Sequence, residues 1–143
     1  MRVVCLDVGE RRIGVAITDA LDLTAQGVET IWCAGLERDC ARVLEICRQY
    51  QTSRVLLGLP RNMDGTEGAR AQKCRKLADT LKAIVPIPVE LWDERSTTVT
   101  AASILTENGT FGKKRKQVLD SVAAVVILES YMAYRHNLQK SQS

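Results

Sequence analysis

Two short apolar runs open the chain, Val3–Val8 (VVCLDV) and Ile13–Thr18 (IGVAIT), separated by the polar break GERR. Two such runs around a glycine-containing break read as the strands of a hairpin. Gly27–Trp32 reads as a third strand. From Leu36 the period changes. Leu36, Cys40, Val43, Leu44 and Cys47 recur at helical spacing, which predicts an amphipathic helix over Leu36–Tyr50. Arg54–Leu59 (RVLLGL) is apolar almost throughout, as expected of a strand covered on both faces, and Pro60 ends it. The loop RNMDG then leads to a second helix over Glu67–Val85, with Cys74, Leu77, Ala78 and Leu81 as its inner stripe. Pro86 and Pro88 precede a last strand, Val89–Trp92, which runs into Asp-Glu-Arg. Ser96 or Thr97 can cap a third helix over Thr98–Glu107. After the loop NGTFGKKRK a final helix spans Gln117–Asn137. Its centre, VAAVVIL, is apolar nearly all round, so that helix must be largely buried.

The order is therefore β-β-β-α-β-α-β-α-α. Three meandering strands followed by strands alternating with helices predict an α/β fold. Its mixed five-stranded sheet has three antiparallel strands, then two parallel ones, flanked by helices. One domain over residues 1–138 and a loose tail over 139–143 are expected. In such sheets, sites form beyond the carboxyl ends of the parallel strands.

Composition narrows the function classes. The 45% apolar and 26% charged residues are ordinary for a soluble globule, and aromatics at 4% are too few for a base-stacking platform of the single-strand-binding kind. No run approaches the length of a membrane span, and the start lacks the pattern of a secretory signal, so a cytoplasmic protein is expected. The five cysteines contain no Cys-x-x-Cys pair, and the one histidine, His136, lies near the C-terminus, which disfavours zinc. Cys40 and Cys47, seven residues apart on one helical face, read as core residues in a reducing compartment. The net charge of +3 is unevenly spread: residues 1–107 carry 14 basic and 15 acidic side chains, residues 108–143 six and two. Lys113, Lys114, Arg115 and Lys116 are consecutive, either a solvated loop or a patch that contacts phosphates.

Acidic residues fall at telling places. Asp7 ends the first strand, and Asp93 or Glu94 ends the last. Those strands run the same way, so their carboxyl ends share one edge. Asp120, in the first turns of the final helix, can point to that edge if the helix packs on the sheet. The bland alternatives are a turn residue for Asp7 and a dipole-favoured acid for Asp120. Converging carboxylates repel unless a cation lies between them, and an all-oxygen set suits Mg²⁺ or Mn²⁺. With a basic patch nearby, this fits metal-assisted phosphodiester hydrolysis.

With these residues in view, the chain resembles the YqgF family, also called RuvX: Holliday junction resolvases and pre-16S rRNA nucleases of RNase H-like fold. The likeness runs from Val4 to Tyr134. It rests on LDVGERRIGVAITD (Leu6–Asp19), GLPRNMDGTEG (Gly58–Gly68), DERSTT (Asp93–Thr98), the KKRK run and the D-x-x-A-A of Asp120–Ala124. The resemblance implies a nuclease acting on structured nucleic acid, pre-rRNA or branched DNA, with Mg²⁺ or Mn²⁺ held by Asp7, Glu94 and Asp120. Asp93 is the alternate to Glu94, since adjacent strand residues face opposite ways. Arg12, Asn62, Arg95 and Lys113–Lys116 are the candidate substrate contacts. Related resolvases carry a further acid three residues after the helix aspartate, where this chain has Ala123, which puts a two-metal mechanism in doubt. Monomer and homodimer both remain open. An actin- or sugar-kinase-like nucleotide binder, which shares the Asp-x-Gly hairpin, and a non-catalytic nucleic-acid-binding domain are the rival readings.

Overall fold

The computed structural model describes residues 2–19, 24–60, 66–93 and 113–142 and, in the last helix, the side chains of 122–136. Five strands are present: β1 (Val3–Val8), β2 (Arg12–Thr18), β3 (Ala25–Trp32), β4 (Arg54–Leu59) and β5 (Val89–Asp93). With them stand α1 (Leu36–Tyr50), α2 (Ala69–Ile84) and α3 (Lys113–Gln142). All five strands join one sheet in the order β3-β2-β1-β4-β5. The β1–β2 and β2–β3 pairs are antiparallel, while β1–β4 and β4–β5 are parallel. This is the mixed sheet the order of elements predicts.

Strand β1 lies at the centre, paired on both sides and covered on both faces. Its alternate residues feed two separate cores. Val4, Leu6 and Val8 pack with Val43 and Ile46 of α1 and Leu77 and Leu81 of α2. Val3 and Cys5 pack with Ala16, Leu56 and α3 residues Ala124, Ile127, Leu128 and Tyr131. That is why VVCL shows no polar alternation: each parity meets a hydrophobic layer. Each such Leu, Ile or Val side chain stabilises the fold by roughly 1.5–3 kcal/mol relative to exposure. The VAAVVIL stretch also behaves as its pattern requires, with Ala124, Val126, Ile127 and Leu128 all buried.

Several boundaries move for physical reasons. Helix α2 starts at Ala69 rather than Glu67, because Gly68 occupies its N-cap and Glu67, outside the helix, makes a two-pronged pair with Arg75 at 2.6 Å. Helix α3 begins at Lys113, so the KKRK run forms its first turn instead of a loop. Lys and Arg are good helix formers, and four of them do not interrupt a helix. The helical backbone also continues past Asn137 to Gln142. The helix expected over 98–107, with its Ser96 or Thr97 cap, lies outside the described residues. The cysteines carry no disulfide, and Cys5, Cys40, Cys47 and Cys74 are buried. Among the described residues no helix is long and apolar enough to cross a membrane.

The α3 core carries one polar network. Tyr131 Oη donates to Glu90 Oε2 at 3.2 Å and accepts from Arg54 Nη1 at 3.2 Å, while Arg54 and Glu90 pair at 2.5 Å. Burial, reinforced by the Glu90 charge, pushes the Tyr131 hydroxyl above the ordinary tyrosine value. Burial likewise pushes up the Cys40 and Cys47 thiols.

Two predictions follow from this packing. A Cβ on Gly9 would lie 2.9 Å from the Arg12 carbonyl oxygen, the atom that accepts the Gly9 N–H at 2.8 Å. Gly9→Ala must therefore displace backbone and should cost about 1–3 kcal/mol in urea denaturation. A raised pKa in the folded state means that the unfolded state ionises first. Stability is thus complete below the ordinary thiol and phenol values and falls as pH rises past about 9–10. Tyr131→Phe should flatten the upper part of that alkaline decline, at the cost of about 1 kcal/mol at neutral pH.

Candidate active site

Asp7 is the next-to-last residue of β1, at the carboxyl edge of the parallel strands. Leu6 and Val8 belong to the α1/α2 core and Cys5 to the α3 core, so alternation puts Asp7 on the α3 face. Its cross-strand partner is Gly14, which sets no side chain beside the carboxylate. The side chain is mostly enclosed, with 16% exposure, and Arg70 Nη2 of α2 stands 3.5 Å from Asp7 Oδ1. A guanidinium at this distance compensates part of the cost of enclosing a charge.

The turn after Asp7 is fastened from the same helix. Arg70 also donates to the Val8 carbonyl, from Nε at 3.4 Å and Nη2 at 3.2 Å. Lys73 Nζ donates to the carbonyls of Gly9 at 2.7 Å and Glu10 at 2.8 Å, and approaches Cys33 Sγ at 3.3 Å. Two cations from the first turns of α2 thus hold the backbone that presents Asp7. Neither was among the residues singled out from sequence. Their targets are main-chain carbonyls some 60 residues away, as in the 62-residue separation of Arg70 and Val8, and no local pattern marks such partners.

At the far side of β4, parity separates the two acids of the DER segment. Val89 and Leu91 pack against the α1/α2 core, whereas Trp92 packs toward α3, its ring 5.4 Å from Tyr131 and 5.1 Å from Tyr134. Asp93 therefore shares the parity of Leu91 and falls on the sheet face opposite Asp7. Glu94 and Arg95 lie outside the described residues, as does Asn62.

Helix α3 crosses the face on which Asp7 sits. Tyr131 meets Arg54 and Glu90, near the starts of β4 and β5. Position 120 is one helical turn before Ala124, on the stripe that continues through Ile127, Leu128 and Tyr131. The Asp120 side chain, like those of Lys113, Lys114, Arg115 and Lys116, lies outside the described residues. Among the described residues, no three of His, Cys, Asp and Glu form a group suited to a metal ion.

Arg12, the remaining basic candidate, pairs across the strands with Trp32, and its guanidinium carbon lies 5.2 Å from the indole centroid. It stands on the α3 face, since its neighbour Ile13 belongs to the other core.

This architecture is that of the RNase H-like resolvases. The chain superposes on Thermus thermophilus RuvC in complex with a Holliday junction with a TM-score of 0.61, at 18% identity, covering 94% of this chain and 96% of that one. It superposes on the fowlpox virus Holliday junction resolvase with a TM-score of 0.55 at 17% identity, covering 94% and 99%. Likeness at that identity is one of fold. Sequence carries the assignment further: the model of the family described as "RuvX: Holliday junction resolvase" matches residues 1–134, and the chain belongs to that family. A protein of Heliobacterium modesticaldum is 46% identical over 144 residues, covering 100% of this chain and 97% of that protein. One of Halothermothrix orenii is 44% identical, covering 96% and 99%. Both bear the name "Putative pre-16S rRNA nuclease".

The clamp on the first hairpin can be tested without reference to activity. Lys73→Met removes a donor to two carbonyls of the turn. The Gly9 amide hydrogen should then exchange about tenfold faster, while the Leu6 amide in the centre of β1 keeps its wild-type rate.

Proposed function

We propose that this protein is a divalent-metal-dependent endonuclease that hydrolyses phosphodiester bonds in structured RNA, and that its task is maturation of the 5′ end of 16S rRNA. One observation carries the reading. Asp7 stands at the carboxyl edge of the sheet on the face crossed by α3, the helix that carries position 120. The names borne by relatives at 44–46% identity over nearly the whole chain support the RNA substrate.

The donor chemistry fits a hard cation. Asp7, Glu94 and Asp120 offer carboxylate oxygens only. Of the softer ligands, Cys5 is buried within the sheet, Cys33 packs against the α1/α2 core on the opposite face, and His136 is exposed near the far end of α3. Asp7, Glu94 and Asp120 would hold Mg²⁺ or Mn²⁺, and a bound ion supplies acidification of the attacking water and charge stabilisation at the leaving oxygen. The parity of β5 favours Glu94 over Asp93 as the ligand on Asp7's face. With Ala123 where related resolvases have an acid, three carboxylates form the set.

The remaining residues handle the polyanion. Arg70, 3.5 Å from its carboxylate, orients Asp7. Arg12, Asn62, Arg95 and Lys113–Lys116 would contact phosphates around the scissile bond. The basic run adds four charges at the N-terminal turn of α3, where helix amides already carry partial positive charge. A pre-rRNA substrate places the enzyme in the cytoplasm, and trimming one RNA end needs one site, so a monomer suffices.

The test is cleavage of a pre-16S rRNA 5′ fragment beside a four-way DNA junction, each with Mg²⁺ or Mn²⁺ and with EDTA. RNA cleavage should depend on the metal. Asp7→Asn, Glu94→Gln and Asp120→Asn should each lower the rate by about a hundredfold or more, and Asp93→Asn by no more than about threefold. Cleavage undiminished in Asp7→Asn would sink the proposed site, and cleavage of the junction alone would shift the substrate to branched DNA.

A further inference from the structure

Trp32 is 60% exposed, although most of the described large apolar side chains are buried. It is the last residue of β3 and the cross-strand partner of Arg12. Strand alternation puts Ile31 in the α1/α2 core, so Trp32 lies on the other face, the one shared by Asp7 and crossed by α3. The antiparallel register puts it at the same edge as well, because Gly14, opposite Asp7, pairs with Thr30, two residues before Trp32. From Asp7 to Trp32 is two strands across and two residues outward, about 12 Å between backbones at ordinary sheet spacings. Arg12 stacks its guanidinium on the indole at 5.2 Å, which fixes the ring and adds a positive charge beside it.

An exposed indole braced by an arginine, a few nucleotides' reach from the proposed catalytic carboxylate, matches one kind of occupant. We propose that Trp32 and Arg12 form a stacking site for one unpaired nucleobase of the substrate strand, with Arg12 also pairing with the adjoining phosphate. This rests on the nuclease reading and makes it more specific. Scarcity of aromatics argues against a broad single-strand platform but not against one stack, and a base presents an aromatic face whatever its identity. The charge beside the ring favours a nucleic acid over an apolar protein surface. The consequence is a preference for substrates with an unpaired segment beside the scissile bond, as at an rRNA precursor end.

Binding is measured in EDTA, so that cleavage is not required. The probes are a fluorescently labelled unstructured RNA oligonucleotide and a blunt duplex of the same sequence. Trp32→Ala should weaken binding of the unstructured strand about tenfold or more and affect the duplex little, while Trp32→Phe, which keeps a ring, recovers most of the affinity. Indole emission should be quenched by the strand in wild type and not in Trp32→Phe, where Trp92 alone emits. With metal and a cleavable fragment, Trp32→Ala should raise KM and leave kcat nearly unchanged. Unchanged strand affinity in Trp32→Ala, equal loss on the duplex, quenching that survives in Trp32→Phe, or a change of oligomeric state in Trp32→Ala would each overturn the stack. Wild-type binding and quenching without metal-dependent cleavage would instead overturn the nuclease reading and leave the stack standing.

Discussion

A carboxylate at the end of a strand that is buried on both faces is the constraint around which this molecule is arranged. The residues of β1 before Asp7 have nowhere to face but a hydrophobic layer. An ionised group among them would be unaffordable, because its desolvation would exceed what any single partner returns. At the carboxyl edge the layers run out, and a charge can keep partial hydration and gain a cation. Arg70 supplies one at 3.5 Å from outside the sheet. The strand thus places Asp7 where it is held firmly and still reachable, which a surface loop would not achieve.

The same edge has to tolerate two opposite electrostatic demands. The proposed acids repel an incoming phosphate, yet the substrate is a polyanion. The described basic residues meet this by being committed rather than loose. Lys73 and Arg70 are tied to main-chain carbonyls of the first hairpin, and Arg12 is stacked on an indole. Their charges are therefore fixed in position around the first hairpin, so a metal ion and a phosphate there would meet a prearranged field instead of side chains that must first be ordered.

Much of the framework was legible before any coordinates. Val3–Val8, Leu36–Tyr50 and Arg54–Leu59 have the limits that their apolar patterns imply, because burial on two faces, on one stripe and again on two faces leaves distinct periods. The starts of α2 and α3 were less readable. Glu67 looks like a first-turn acid but bonds Arg75 from outside the helix, and a run of four cations looks like a loop although nothing in lysine or arginine opposes helix. Of the candidate site, Asp7 and Arg12 stood out in the sequence because they sit at strand ends. Arg70, Lys73 and the exposed Trp32 were not, since their importance comes from contacts across the sheet that periodicity does not encode.

Parity shows how far local pattern and global register must cooperate. The pair Asp93–Glu94 cannot be resolved from composition, for either carboxylate could bind a hard cation. The β4–β5 ladder fixes the side of Asp93 by setting Leu57 beside Leu91 and Leu59 beside Asp93. With Leu57 and Leu59 in the α1/α2 core, Asp93 inherits that side. A slip of one residue would exchange the two faces of β5 and also drive Trp92 out of its contacts with Tyr131 and Tyr134. The aromatic cluster on one face therefore holds Asp93 on the other, and packing in the α3 core is coupled, through a single strand register, to the side that Asp93 takes.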